Sequence, residues 1–139
     1  MATHYIQTNE ADEHIKRMRR FHTSKEEIEI SVLFAFTNDL SYPMTTRGFR
    51  VLGKTRKSTP KERGFGAGHI VIELDRDWWE VHDDADRDAL VDHEMCHIPE
   101  PTWNRQGEMG IPALIEHDYE LAGFMAVVDR HGDKAIEQP

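Results

Sequence analysis

Nine histidines occur in this 139-residue chain, and two of them stand four residues apart with a glutamate after the first: His93, Glu94 and His97 in "LVDHEMCHIPE". At this composition an H-E-x-x-H string arises by accident in roughly 0.06 of such sequences, so the surroundings must decide its meaning. On a helix, positions four apart share one face, and both imidazoles can address a single metal ion. Glu94 then sits beside the ion, placed to take a proton from water and return it to a leaving amine. Catalytic zinc takes three protein ligands and keeps one position open, so two histidines do not complete a site.

The third donor is expected from "EHDYE", about 20 residues beyond His97, which offers Glu116, His117, Asp118 and Glu120. His117 borders the apolar face of its segment and is preferred over the three acids. A carboxylate that does not bind the metal can orient a bound imidazole, and Asp118 and Asp92 are candidates for that work. Cys96 lies inside the motif, yet ligation by it disrupts the His93/His97 pair; as a lone cysteine it reads as a small buried hydrophobe. His69, Tyr119 and Arg130 are candidates to stabilise an oxyanion, and Trp78 and Trp79 read as packing.

These residues need a scaffold. "DDADRDALVDHEMCHI" has helix-forming composition, Asp83 or Asp84 as N-cap, and Pro99 and Pro101 as stops. "IPALIEHDYELAGFMAVVDRHG" predicts a closing helix from Pro112 to Gly132, with Leu114, Leu121, Met125 and Val128 along one side. "RGFRVLGKTRKST" and "GHIVIELDRDWWEV" predict an antiparallel strand pair, joined by the mobile connection "PKERGFGAG". "EADEHIKRMRRFH" spaces Ile15, Met18 and Phe21 as an amphipathic helix, and "EEIEISVLFAFTND" reads as the end of a helix passing into a buried segment. In this scheme "HIVIELD" is the strand that holds an extended substrate by edge pairing.

Length predicts one domain over residues 1–139. Its charge is divided: residues 1–63 carry 12 Lys/Arg against 8 Asp/Glu, and residues 64–139 carry 5 against 18. The acidic part, which holds the motif, suits a cation better than a nucleic-acid backbone. The seven Arg and Lys of segment 47–63 leave nucleic acid as a possible partner, though a solvated hairpin is the plainer reading. No apolar run reaches the roughly 20 residues of a membrane span, and the start lacks the pattern of a signal peptide. One cysteine excludes an internal disulfide, and a cytoplasmic protein is expected.

"LVDHEMCH" followed by "EHDYELAGFMAVVDRHG" resembles the putative phage metallopeptidase family, in which a D-H-E-x-x-H helix precedes an H-D-x-E-x-F-like helix ending in R-x-G. The correspondence runs from about Gly68 to Gly132. The resemblance implies a small α+β zincin-like domain, similar in layout to SprT-type metalloproteases: a small antiparallel sheet or hairpin packed against the H-E-x-x-H helix and a C-terminal helix. It implies His93, His97 and His117 as Zn2+ ligands, Glu94 as catalytic base and acid, and a peptide or protein substrate in the host cytoplasm. Two alternatives remain: a zinc-stabilised module that binds or inhibits a host protein, and a protease that acts on DNA-bound proteins.

Overall fold

A computed structural model describes residues 2–117 and 124–132. In chain order its elements are β1 (His4–Thr8), α1 (Asp12–Met18), β2 (Ile30–Phe36), β3 (Thr45–Thr46), β4 (Phe49–Arg50), β5 (Gly53–Lys57), α2 (Pro60–Gly64), β6 (Ile70–Asp75), α3 (Arg76–Val81), α4 (Asp84–Cys96), β7 (Thr102–Trp103), β8 (Met109–Gly110) and α5 (Met125–His131). The fold is α+β. Four strands form a sheet in the order β1-β2-β6-β5, and β3/β4 and β7/β8 are two-stranded ribbons. Among the described residues no helix is long and apolar enough to cross a membrane.

β5 and β6 pair antiparallel as the sequence predicts, with Thr55 opposite Ile72, but they belong to a mixed sheet. β6 also pairs in parallel with β2, bringing Ile30, Val32 and Phe34 level with Ile70, Ile72 and Leu74. Segment 26–39 is therefore not a helix end: its β-branched and aromatic run forms an interior strand with partners on both sides. β1, which the sequence pattern does not reveal, closes one edge of the sheet, and β5 forms the other. "HIVIELD" is likewise interior rather than an edge.

The strand predicted to run on to Val81 stops at Asp75, whose carboxylate accepts the Trp78 amide and starts α3. "PKERGFGAG" is no loose loop either, because Thr59 and Glu62 form a capping box ahead of α2 with Pro60 in its first turn. The β3/β4 turn places Arg47 and Gly48 at φ 53° and 82°, the left-handed pair that a two-residue hairpin requires.

One face of the sheet carries Val32, Phe34, Ile70, Ile72 and Leu74 into a core with Ile15 and Met18 of α1, Leu90, Val91 and Met95 of α4, and Trp79. Burying a side chain of this size contributes about 1.5–3 kcal/mol, so three such residues on α4 hold that helix firmly against the sheet. Asp83 caps α4 by accepting the Asp86 amide. Asp88, one turn further on, accepts from His14 Nδ1 at 2.7 Å and from Arg17 through two bonds of 2.9 Å, which fastens α1 to α4.

The predicted closing helix is corrected. Residues 111–117 lie in no helix or strand, and α5 spans only Met125–His131; Asp118, Tyr119, Glu120 and Leu121 lie outside the described residues. A helix from Pro112 would bond the Ile115 amide to the Ile111 carbonyl. Instead the Ile115 amide donates to His97 O at 2.8 Å, and Ile111 O accepts from Lys57 Nζ at 2.7 Å. Tertiary partners take the groups that local helix formation needs.

Candidate metal centre

α4 delivers His93 and Glu94 from its last turn, fully inside the protein at 0% and 1% exposure. His97 caps the same helix, so the second histidine of the motif stands where the helix stops. His117 arrives on the irregular segment 111–117, and its Nε2 lies 3.1 Å from Nε2 of His93. One ligand atom from each of His93, His97 and His117 falls within 4.8 Å of the others. Two of these residues share an element and the third comes from elsewhere, as expected, although its carrier is not the helix anticipated.

The donor set fits a borderline divalent cation. Burial pushes the His97 imidazole down from its ordinary value, which favours the neutral, ligating form. Its Nδ1 hydrogen donates to Ile115 O at 2.7 Å, leaving Nε2 with the lone pair and fixing the ring orientation. That carbonyl does the orienting that sequence reasoning assigns to a carboxylate. Glu94 Oε2 lies 3.7 Å from His93 Nε2, buried and without a hydrogen-bond partner among the described residues. Burial raises the Glu94 carboxyl to about 8, with the Thr55 hydrogen bond acting in the opposite direction. A cation among the imidazoles opposes that rise by stabilising the carboxylate.

Thr55 and Gly53, which sequence reasoning passed over, and Phe124, which it met only in the family pattern and gave no role, lie against the cluster. Thr55 of β5 shares its hydroxyl hydrogen between Glu94 O and Glu94 Oε1, each at 2.9 Å. At Gly53 a Cβ would stand 2.9 Å from Glu94 Oε2, so only glycine lets the carboxylate lie against the strand. A glycine inside a strand signals such close approach, and "GKTRK" carried that sign. Phe124, 3% exposed, sets its ring edge-on to His93, His97 and His117 with centroids 5.3, 4.8 and 5.1 Å away, which makes an apolar wall. A cleft of about 530 Å³ opens beside the cluster, lined by Glu94, His97 and His117 and by Gly53, Thr55 and Tyr5.

Other candidates lie elsewhere. Asp92 points away from His93 and accepts from His22 at 2.7 Å, from Arg130 at 2.7 and 2.6 Å and from His131 at 2.8 Å, tying α5 to α4. Burial raises the Asp92 carboxyl, but these donors outweigh burial and hold it well below the usual range. Arg130 is consequently committed to Asp92 and does not face the cleft. His69 is bound through Nδ1 to the Glu29 amide, also away from the imidazole cluster, while Tyr119 and the acids Asp118 and Glu120 lie outside the described residues. Glu116 joins no cluster of metal-ligating groups among the described residues.

Cys96 lies 3.9 Å from Asp92 Oδ1, outside the three-imidazole group, and burial with the Asp92 charge pushes its thiol up to about 11. A second group of potential ligands, His22, Asp92 and Cys96, has both carboxylate oxygens engaged by Arg130. That arrangement is a structural ion-pair hub. Trp78 and Trp79 are buried, Trp79 in the core against Phe34, in keeping with packing.

Comparison with known proteins places the chain. A family model described as putative phage metallopeptidase matches residues 3–138, so the chain belongs to that family. No curated protein and no solved structure matches it.

Proposed function

We propose, with membership of the phage metallopeptidase family as premise, that the protein is a zincin-like, zinc-dependent peptidase in which His93, His97 and His117 hold the ion and Glu94 manages the proton. The observation that carries this reading is the meeting of three imidazoles beside a buried glutamate, with Glu94, His97 and His117 lining one open cleft and His93 buried behind them. Zinc bound by three histidines supplies a Lewis acid that polarises a carbonyl and brings the acidity of water close to neutrality.

The protein contributes the rest. Glu94 accepts a proton from the attacking water and returns it to the departing amine. Thr55 and the bare backbone of Gly53 hold that carboxylate in one place, so its orientation is settled before substrate arrives. Phe124 keeps water from one side of the imidazoles, which strengthens charge interactions within the site. β5 is an edge strand of the sheet among the described residues and passes directly over Glu94, so an extended peptide that adds to it as a further strand lies across the cluster.

The open cleft weighs against a purely structural ion, which needs closed coordination. Nucleic-acid binding is weakened because two cations of the basic segment are already paired, Arg50 with Asp75 and Arg56 with Glu62 and Glu73. We read the chain as one domain, and its lone free cysteine suits the reducing cytoplasm of a bacterial host. Glu94→Gln is expected to retain zinc and lose hydrolysis of a peptide pool; undiminished cleavage removes the proton-transfer role. His93→Ala/His97→Ala is expected to lose the metal, and equal zinc content in that protein and wild type sinks the site.

A further inference from the structure

Four arginines are neutralised by carboxylates: Arg17 by Asp88, Arg50 by Asp75, Arg56 by Glu62 and Glu73, Arg130 by Asp92. Lys57 and Arg63 are arranged differently. Lys57 donates to the Ile111 carbonyl at 2.7 Å, and Arg63 donates to the carbonyl and hydroxyl of Ser58. These bonds orient the two cations without cancelling their charge. His69 stands with them: its Nδ1 accepts the Glu29 amide at 3.0 Å, so in the neutral ring the proton sits on Nε2, which is left as a donor. Lys57, Arg63 and His69 line a cleft of about 340 Å³ with Met109 and Ile111, and among the described residues no carboxylate lines it.

This cleft lies at the end of the strand that supports Glu94. Gly53 and Thr55 of β5 touch Glu94, and Lys57 follows with the same alternation. Resting on the peptidase reading, we infer that the Lys57–Arg63–His69 cleft is a substrate subsite for an acidic side chain, Asp or Glu, on the N-terminal side of the scissile bond. Antiparallel pairing is the more stable way to extend β5, and it turns the N-terminal half of the peptide towards Lys57. At about 3.3 Å per residue Lys57 lies roughly 7 Å beyond Thr55, which places the acid about two to four residues before the cut. Two cations supply the charge, the His69 donor adds direction, and the Met109 and Ile111 walls accommodate the side-chain methylenes.

Two readouts test the inference. The first is cleavage of a randomised decapeptide library by the zinc-loaded protein, with products sequenced by mass spectrometry. Asp and Glu should be enriched roughly tenfold at one position before the cut, as expected from two partly exposed charge pairs. Lys57→Glu/Arg63→Glu should reverse the preference towards Lys and Arg, and the neutral Lys57→Met/Arg63→Gln should abolish it. The second is fluorescence anisotropy with the Glu94→Gln protein and labelled Ala/Ser decapeptides that differ only by Glu or Gln at one position. The Glu member should bind roughly tenfold more tightly, with the advantage lost in the charge-reversed background. Cleavage with no acidic preference, or a preference unchanged by charge reversal, overturns the subsite and leaves the peptidase standing. Acid-selective binding without any cleavage by wild type removes the hydrolase and with it the substrate role, and leaves the cleft as a binding site for an acidic peptide side chain. Tighter binding of an oligothymidylate than of the Glu peptide overturns the inference and assigns the cleft to phosphate.

Discussion

Replacing Gly53 by alanine is the smallest change that separates the chemistry of this site from its fold. The new methyl carbon would lie 2.9 Å from Glu94 Oε2 and 3.0 Å from Cδ and Cγ, whereas ordinary contact begins near 3.4 Å. Glu94 must therefore retreat by about 0.5 Å, on the same scale as the separations that define a near-attack geometry. It cannot do so freely, because Thr55 holds Oε1 at 2.9 Å and the side chain is 1% exposed. A displacement of about 1 Å costs on the order of 100-fold in rate, so half of that predicts roughly a tenfold fall in kcat. Overpacking costs about 1–3 kcal/mol, and the lost flexibility of glycine in the unfolded chain offsets about 0.4–1 kcal/mol of it. Tm should fall by only about 2–8 °C. The assay compares kcat and KM on a quenched-fluorescence peptide pool, with zinc content measured alongside. Zinc should stay at wild-type stoichiometry, and Gly53→Ala should have no added effect in a Glu94→Gln background, since both changes act through one carboxylate. A kcat within about twofold of wild type, or a loss explained wholly by missing zinc, would refute the claim that Gly53 sets the position of Glu94.

Thr55→Val should lower kcat by about 10–100-fold, the equivalent of one hydrogen bond to a charged acceptor, while Thr55→Ser restores most of it; equal activity of the two variants contradicts the positioning role. Arg130→Ala strips Asp92 of a two-pronged partner but leaves His22 and His131, so we expect about 2–3 kcal/mol of destabilisation, read as a Tm lower by about 6–12 °C. At Asp88, burial raises the carboxyl, yet the bonds from Arg17 and His14 win and hold it below its ordinary value. The linkage sign follows: this stability is present above the unfolded value of about 3.9 and is lost as pH falls towards the folded one. Asp88→Asn should thus cost about 1 kcal/mol at pH 7, given the partly exposed Arg17, and progressively less below pH ~4; a constant gap across an acid titration counts against it. His117→Ala should weaken zinc binding by on the order of 100-fold or more, and unchanged affinity in a competition titration excludes it as the third donor.

The sequence disclosed what depends on neighbours along the chain. Asp83, the apolar face of α4 and the prolines after His97 define the motif helix without reference to the rest of the molecule. The antiparallel β5/β6 pairing was legible for the same reason: two strands that follow one another in the chain across a Gly/Pro-rich connection. β2 was not, because its apolar run fits a buried strand or a buried helix equally, and the parallel partner that decides the matter lies about 40 residues away. The segment carrying His117 has helical spacing, but Lys57 and His97 take its backbone groups, and that competition is tertiary. Thr55 and Gly53 bear on Glu94 only once β5 has been laid over α4. Asp92 looked like a partner for the neighbouring His93, yet a helix turns successive side chains by about 100°, and it serves the opposite side.

The paired bonds between His97 and Ile115 act on chain entropy as well as on ring orientation. They join residues 18 apart, and closing a loop of that length costs roughly 2–3 kcal/mol before any constant term. The β7/β8 ribbon within the loop lowers that cost by shortening its freely varying part. The polypeptide therefore closes its own ring, and on the proposed metal reading His117 would meet an incoming ion as a preassembled donor. Metal uptake then needs little ordering of the chain, and a chelator should withdraw zinc while the Ile111–His117 segment stays clasped to the end of α4.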